Sequence, residues 1–140
     1  MIVLDTNIIS EAMRSEPNAD VLAWLNQQNN LQLYITSISI AEIAYGLRVL
    51  PFGQRQSVLQ SRFDQFIALG FEHRLLNFDK VAAKYYAEIM GHRKEIGSPM
   101  SVPDGQIAAI TRSNNFNLAT RNTKDFENCG IDLINPFSGF

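Results

Sequence analysis

At 140 residues, with 46% apolar and 19% charged side chains, the chain reads as one globular domain spanning 1–140, with enough apolar material for a sizeable core. A net charge of −2 excludes binding of nucleic acid through overall basicity, so a polyanion would need local patches or bound cations. No apolar run is long enough to span a membrane, no basic leader precedes the first strand, and the single cysteine, Cys129, excludes an intrachain disulfide. A soluble cytoplasmic protein is the expectation.

In chain order, Ile2–Leu4 forms a short buried strand that runs straight into Asp5. Thr6 or Asn7 then caps a helix through Ile8, Ile9, Ala12 and Met13. Ala19–Asn26 is helical, with Val21, Leu22, Trp24 and Leu25 apolar, and Gln27–Asn30 is a polar break. Leu31–Thr36 is the second strand. A helix from about Ile40 to Leu50 stops at Pro51, and Gln56–Leu69 forms a long amphipathic helix with Val58, Leu59, Phe63, Phe66, Ile67 and Leu69 on its apolar side. Arg74–Phe78 is the third strand. Asp79 caps a helix from Lys80 to about Lys94, with Val81, Ala82, Tyr85, Tyr86, Ile89 and Met90 facing inward. After a loop over 96–102 come a helix over Pro103–Asn114, a strand over Asn117–Thr120, a short turn or helix over Asp125–Asn128, a last strand over Ile131–Ile134 and a tail from Pro136. Alternating strands and helices predict a parallel sheet covered on both faces, a three-layer α/β/α arrangement.

Three acids share one setting. Asp5 ends the first strand, Glu42 is expected in the first turn of the helix after the second, and Asp104 in the first turn of the helix at Pro103. Each has a structural explanation. Ser39-x-x-Glu42 reads as a capping box, Ser101-x-x-Asp104 nearly so, and a carboxylate near a helix N-terminus is favoured by the helix dipole. Their joint placement points further, because ligands of open parallel sheets bind outside the carboxyl ends of the strands. Clustered carboxylates repel unless a cation lies between them, and oxygen-only sets suit Mg2+ or Mn2+, ions that activate water and neutralise a phosphate. Nothing else in the chain reads as chemistry. His73 and His92 are isolated, Cys129 lacks a base, no nucleophile elbow, paired-cysteine motif or glycine-rich phosphate loop is present, and Trp24 with the Phe and Tyr side chains reads as core.

Asp5-Thr6-Asn7, Ser37 to Glu42, Asp104-x-x-Ile107-Ala108-Ala109 and Ala119-Thr120-Arg121-Asn122-x-x-Asp125-Phe126, in that order, resemble the PIN-domain ribonucleases, and among them the VapC and FitB toxins of type II toxin–antitoxin pairs. The resemblance spans the chain and implies a central parallel sheet and Mg2+- or Mn2+-dependent hydrolysis of RNA phosphodiesters, with tRNA and rRNA among the substrates. It implies a metal site at Asp5, Glu42 and Asp104, with the hydroxyls of Thr6 and Thr120 beside it. The family often carries a fourth acid where this chain has Asn122, which offers a carbonyl oxygen but no charge; Asp125, three residues on, either substitutes or caps the short helix at Phe126.

The resemblance also implies a homodimer and a cognate VapB- or FitA-like antitoxin, through which alone promoter DNA is reached. Tyr45 and the helix over 56–69 are candidates to line the antitoxin's groove. Arg48, Arg93, Lys94, Arg112 and Arg121 are candidates for phosphate contacts. Two other readings stay open: a domain acting chiefly as an antitoxin-binding, DNA-regulatory partner, and a metal-dependent nuclease of DNA flaps.

Overall fold

The computed structural model describes residues 1–138. Five parallel strands, β1 (Ile2–Leu4), β2 (Leu33–Thr36), β3 (Leu75–Leu76), β4 (Asn117–Ala119) and β5 (Leu133–Ile134), lie in the order β3-β2-β1-β4-β5. Strand residues alternate between two cores, as a period of two requires. Leu4, Leu33, Ile35 and Ala119 join one core, whereas Val3, Tyr34 and Leu118 join the other. On the first face pack α1 (Thr6–Ala12), α2 (Ala19–Gln27), α3 (Ser37–Arg48) and α4 (Gln54–Phe66); on the second lie α5 (Lys80–Glu95) and α6 (Val102–Ser113). This is the expected α/β/α sandwich. Among the described residues no helix is long and apolar enough to cross a membrane.

Several boundaries differ from the expectation, each for a local reason. The helix after β2 begins at Ser37 rather than Ile40, because the Thr36 hydroxyl accepts from the Ser39 N–H and caps it. The Ser39-x-x-Glu42 capping box is therefore not formed, and Glu42 moves into the second turn. α1 is capped by Asp5, which accepts from the Thr6 N–H, rather than by Thr6 or Asn7. β2 begins two residues late because Asn30–Gln32 winds into a 3-10 turn under an Asn29 cap. α4 spans 54–66 and widens into a π-turn over Ile67–Phe71. The short turn or helix expected over Asp125–Asn128 is a 3-10 turn that begins two residues earlier, Thr123–Phe126, and Pro136–Ser138 is another.

The apolar faces are narrower than read. Leu22, Val58, Leu69 and Val81 are exposed, and so are Tyr45 and Phe52 at the α3–α4 corner, the latter wholly. Trp24 lies in the core as expected.

α5 and α6 approach closely at Gly105, the residue after Asp104. A Cβ there would stand 2.4 Å from Met90 Sδ and 3.1 Å from Tyr86 Cε2. Gly105→Val is expected to lower stability by about 1–3 kcal/mol in a denaturant melt, since overpacking pushes apart two helices that share a buried seam. Unchanged stability would show that Met90 yields freely.

Candidate active site

β1 lies at the point where the chain order reverses. β2 and β3 extend the sheet to one side of it, β4 and β5 to the other. Crevices at such points open at the carboxyl edge of the sheet. Leu4 pairs with Ala119, and the Asp5 N–H donates to the Ala119 carbonyl at 2.9 Å, so the next residues on the two strands, Asp5 and Thr120, stand side by side. The Thr120 hydroxyl donates to Asp5 Oδ2 at 2.8 Å and accepts from the Asn122 N–H at 3.1 Å. Asn7 ties the same corner together. Its Nδ2 donates to Asp5 Oδ2 at 3.3 Å, and its Oδ1 accepts from the Arg121 N–H at 3.2 Å. Asp5 is thereby 4% exposed.

A row of hydroxyls connects β2 to this corner. The Thr6 hydroxyl donates to Glu42 Oε1 at 2.7 Å and so has no proton left for Ser39 Oγ at 2.8 Å. Ser39 must therefore donate to Thr6, and the Thr36 hydroxyl donates in turn to Ser39 at 3.5 Å. Thr36 and Ser39 are fully buried. The sequence marked Thr6 but missed Ser39, whose apparent capping role concealed it.

Asp104 arrives from another direction. Helices that return the chain to a parallel sheet run antiparallel to its strands, so α6, which leads into β4, begins at the carboxyl edge. The Ser101 hydroxyl caps it by accepting from the Asp104 N–H at 3.3 Å. Asp5, Glu42, Asp104, Thr6, Asn7, Asn122 and Arg121 line one cavity of about 650 Å³. Glu11, buried on α1, lines it too, and is a site acid that sequence reading did not mark. Asp125 is exposed and lies outside the cavity lining, though its charge bears on Asp104.

Electrostatics confirm the proximity. Burial pushes the Asp5 carboxyl up to about 6, against the hydrogen bonds from Thr120 and Thr6, and the charges of Asp104 and Glu42 push the same way. Asp104 is also raised, by burial first and by Asp125 and Glu42 in addition, while Ser101 and Arg93 oppose the rise. None of the three acids has a salt-bridge partner among the described residues. An oxygen-only donor set with uncompensated charge fits a hard divalent cation. The side chains do not yet close around one: among the described residues no three His, Cys, Asp or Glu groups are spaced to hold a metal together.

The arginine candidates separate. Arg121 lines the cavity, its guanidinium 4.7 Å from the Phe137 ring centre. Arg48 and Lys94 are exposed outside the lining, and Arg112 is tied to Glu88 at 3.4 Å and stacked on Tyr85. Arg93 is not a surface residue at all, being 6% exposed. Its Nε donates to the Ser98 carbonyl at 2.6 Å, and its Nη1 to the carbonyls of Asp125 and Glu127 at 2.9 Å each. It clamps the loop entering α6 to the turn carrying Asp125.

Residues 2–131 match the PIN domain family. The chain belongs to the PIN-domain family. It is 41% identical over 137 residues to a VapC ribonuclease of Sinorhizobium fredii, covering 98% of each chain. It is 37% identical to the toxin FitB of Neisseria gonorrhoeae, covering 98% of this chain and 99% of FitB. A solved structure of FitAB bound to a DNA fragment superimposes with a TM-score of 0.91 at 37% identity, over 98% of this chain and 96% of that one. The sandwich described above is thus the PIN fold, with its acids at the carboxyl edge of the sheet.

The raised Asp5 carboxyl makes a prediction about the metal-free PIN domain. Between the unfolded value near 3.8 and the folded value near 6, the native state holds a proton that the unfolded state has released. Stability should therefore fall as pH rises through that window and stay low above it. Asp5→Asn removes the penalty. In EDTA the variant should be more stable than the parent by on the order of 2 kcal/mol at pH 8, with the gap closing towards pH 4. A gap independent of pH would mean that burial does not penalise this carboxylate. Separately, Arg93→Met removes the donor shared by the carbonyls of Ser98, Asp125 and Glu127 and should cost about 1–3 kcal/mol in urea melts; an unchanged midpoint would remove the clamp.

Proposed function

We propose that this chain is the toxin of a type II toxin–antitoxin pair, a metal-dependent endoribonuclease of the cytoplasm that hydrolyses RNA phosphodiesters until a cognate antitoxin blocks it. The observation that carries this reading is the convergence of Asp5, Glu42 and Asp104 on one cavity at the carboxyl edge of a PIN-domain sheet. The likeness to a VapC ribonuclease and to the FitB toxin supports the reaction and the setting.

In the mechanism, Asp5, Asp104 and Glu42 would hold Mg2+ or Mn2+. When bound, the ion supplies Lewis acidity to a phosphate oxygen and makes a nearby water a better nucleophile. The protein's own groups do the orienting. The Thr120 hydroxyl and the Thr6 N–H hold the two Asp5 oxygens in one orientation. The row from Thr36 through Ser39 to Thr6 ends on Glu42 Oε1, which leaves Oε2 free for a ligand or a water. The Asn122 amide at the cavity wall can direct a water or a phosphate oxygen, and the Arg121 guanidinium can bear on negative charge growing at the phosphate. Asp125, outside the lining, acts on the site through its charge on Asp104.

The partner reading rests on FitB and on the FitAB complex with DNA. By analogy the chain would form a homodimer, bind a FitA- or VapB-like antitoxin and reach promoter DNA only through it. Size measurement by light scattering, with and without co-expressed antitoxin, checks both states.

With Mg2+ the wild-type protein should cut structured RNA such as tRNA, and leave flap DNA intact. Asp5→Asn and Asp104→Asn should each lower cleavage by at least about a hundredfold while circular dichroism stays native. Full activity in EDTA would sink the metal mechanism, and preferential cutting of flap DNA would sink the RNA reading.

A further inference from the structure

An acidic site must hold a polyanion against its own charge, so the cations that do this should lie where the site cavity opens. Besides Arg121, that cavity is lined by Arg14, which follows α1, and Arg55, in the first turn of α4. A second cavity of about 590 Å³ shares both arginines and continues to Arg62 along α4. Its remaining lining is Ser15, Gln54, Val58 and Leu59, with three arginines and no acid among the described residues. A trench therefore runs from four lining carboxylates into a stretch whose charged lining, among the described residues, is arginine, on a chain whose net charge is −2.

The three side chains are exposed. Arg14 keeps 66% of its side chain accessible although its Nη1 lies 3.4 Å from both Glu11 oxygens. Arg62 is steadied by one bond from Nη1 to the Met13 carbonyl at 3.3 Å, leaving the rest of its fork unused. Arg55 has no salt-bridge partner among the described residues.

We propose that Arg14, Arg55 and Arg62 form a one-sided phosphate track that holds the RNA strand on one flank of the bond to be cut. This rests on the ribonuclease reading and adds to it the side of the site on which the RNA strand lies. The strand extends from the acids over the α1–α4 side, where guanidinium forks pair with its phosphates. Such pairing sets affinity and register rather than the chemical step.

The test is equilibrium binding of a short labelled single-stranded RNA to the full chain in EDTA, where cleavage is not required, from about 50 to about 200 mM salt. Arg14→Gln/Arg55→Gln should raise Kd roughly tenfold and make the slope of log K against log salt shallower by about 1.4, because two phosphates of the single strand are no longer neutralised. Arg14→Lys/Arg55→Lys should keep the slope. Arg55→Gln alone, which breaks no side-chain hydrogen bond among the described residues, should flatten the slope by about 0.7 and serves if the double variant melts early. In cleavage with Mg2+ the Gln variants should raise KM and leave kcat unchanged. An unchanged slope and Kd overturn the track. So does an unchanged RNA affinity with weakened antitoxin binding, which would give the trench to a protein partner. Wild-type protein that binds RNA with the expected slope but never cuts it overturns the ribonuclease reading and leaves the track standing.

Discussion

The structure turns on the pairing of β1 with β4 at the reversal of strand order. One hydrogen bond, from the Asp5 N–H to the Ala119 carbonyl, sets the level at which the two strands end. Thr120 therefore meets Asp5, and the turn beyond it brings Asn122 and Arg121 to the same cavity wall. A shift of one residue in this register would point Asp5 at the opposite face of the sheet. The buried pair Val3 and Leu4 guards against it, since on such a slip against Leu118 and Ala119 both would have to change core.

The polar shell around the acids is built to hold charge in place rather than to neutralise it. Asp5 is surrounded by an N–H, a hydroxyl and an amide, all donors and none cationic. Such a shell fixes geometry while leaving electrostatic demand unmet, and a cation can then satisfy it. The buried cation nearest Asp104, Arg93, spends its donors on backbone carbonyls. It organises the loops, and its charge opposes the rise that burial, Asp125 and Glu42 give the Asp104 carboxyl.

How much of this is legible in the sequence depends on whether the determinant is local. Asp5 follows an uninterrupted apolar strand and Asp104 follows Ser101 and Pro103, so both announce their place. Glu42 falls in the expected helix but in a later turn. Two hydroxyls, Thr36 and Ser39, could cap that helix, and only the end of β2 decides for Thr36. Arg93 reads as surface in the sequence because two of its three carbonyl partners lie more than thirty residues away and leave no mark in composition or spacing. Arg14, Arg55 and Glu11 escape notice for the same reason. They are ordinary helix-surface charges until α1 and α4 are laid beside the acids.

The ends of the sheet carry a further consequence. β3 and β5, its two borders, are only two residues long, Leu75–Leu76 and Leu133–Ile134. A border that short presents almost no unpaired backbone, so it gives a foreign strand little to zip onto and little occasion for sheet-to-sheet aggregation. Strand addition has little backbone to build on at either border, and the helices and side chains offer the larger surface. The molecule can stay inert towards chance partners while remaining open to one shaped to its helical faces.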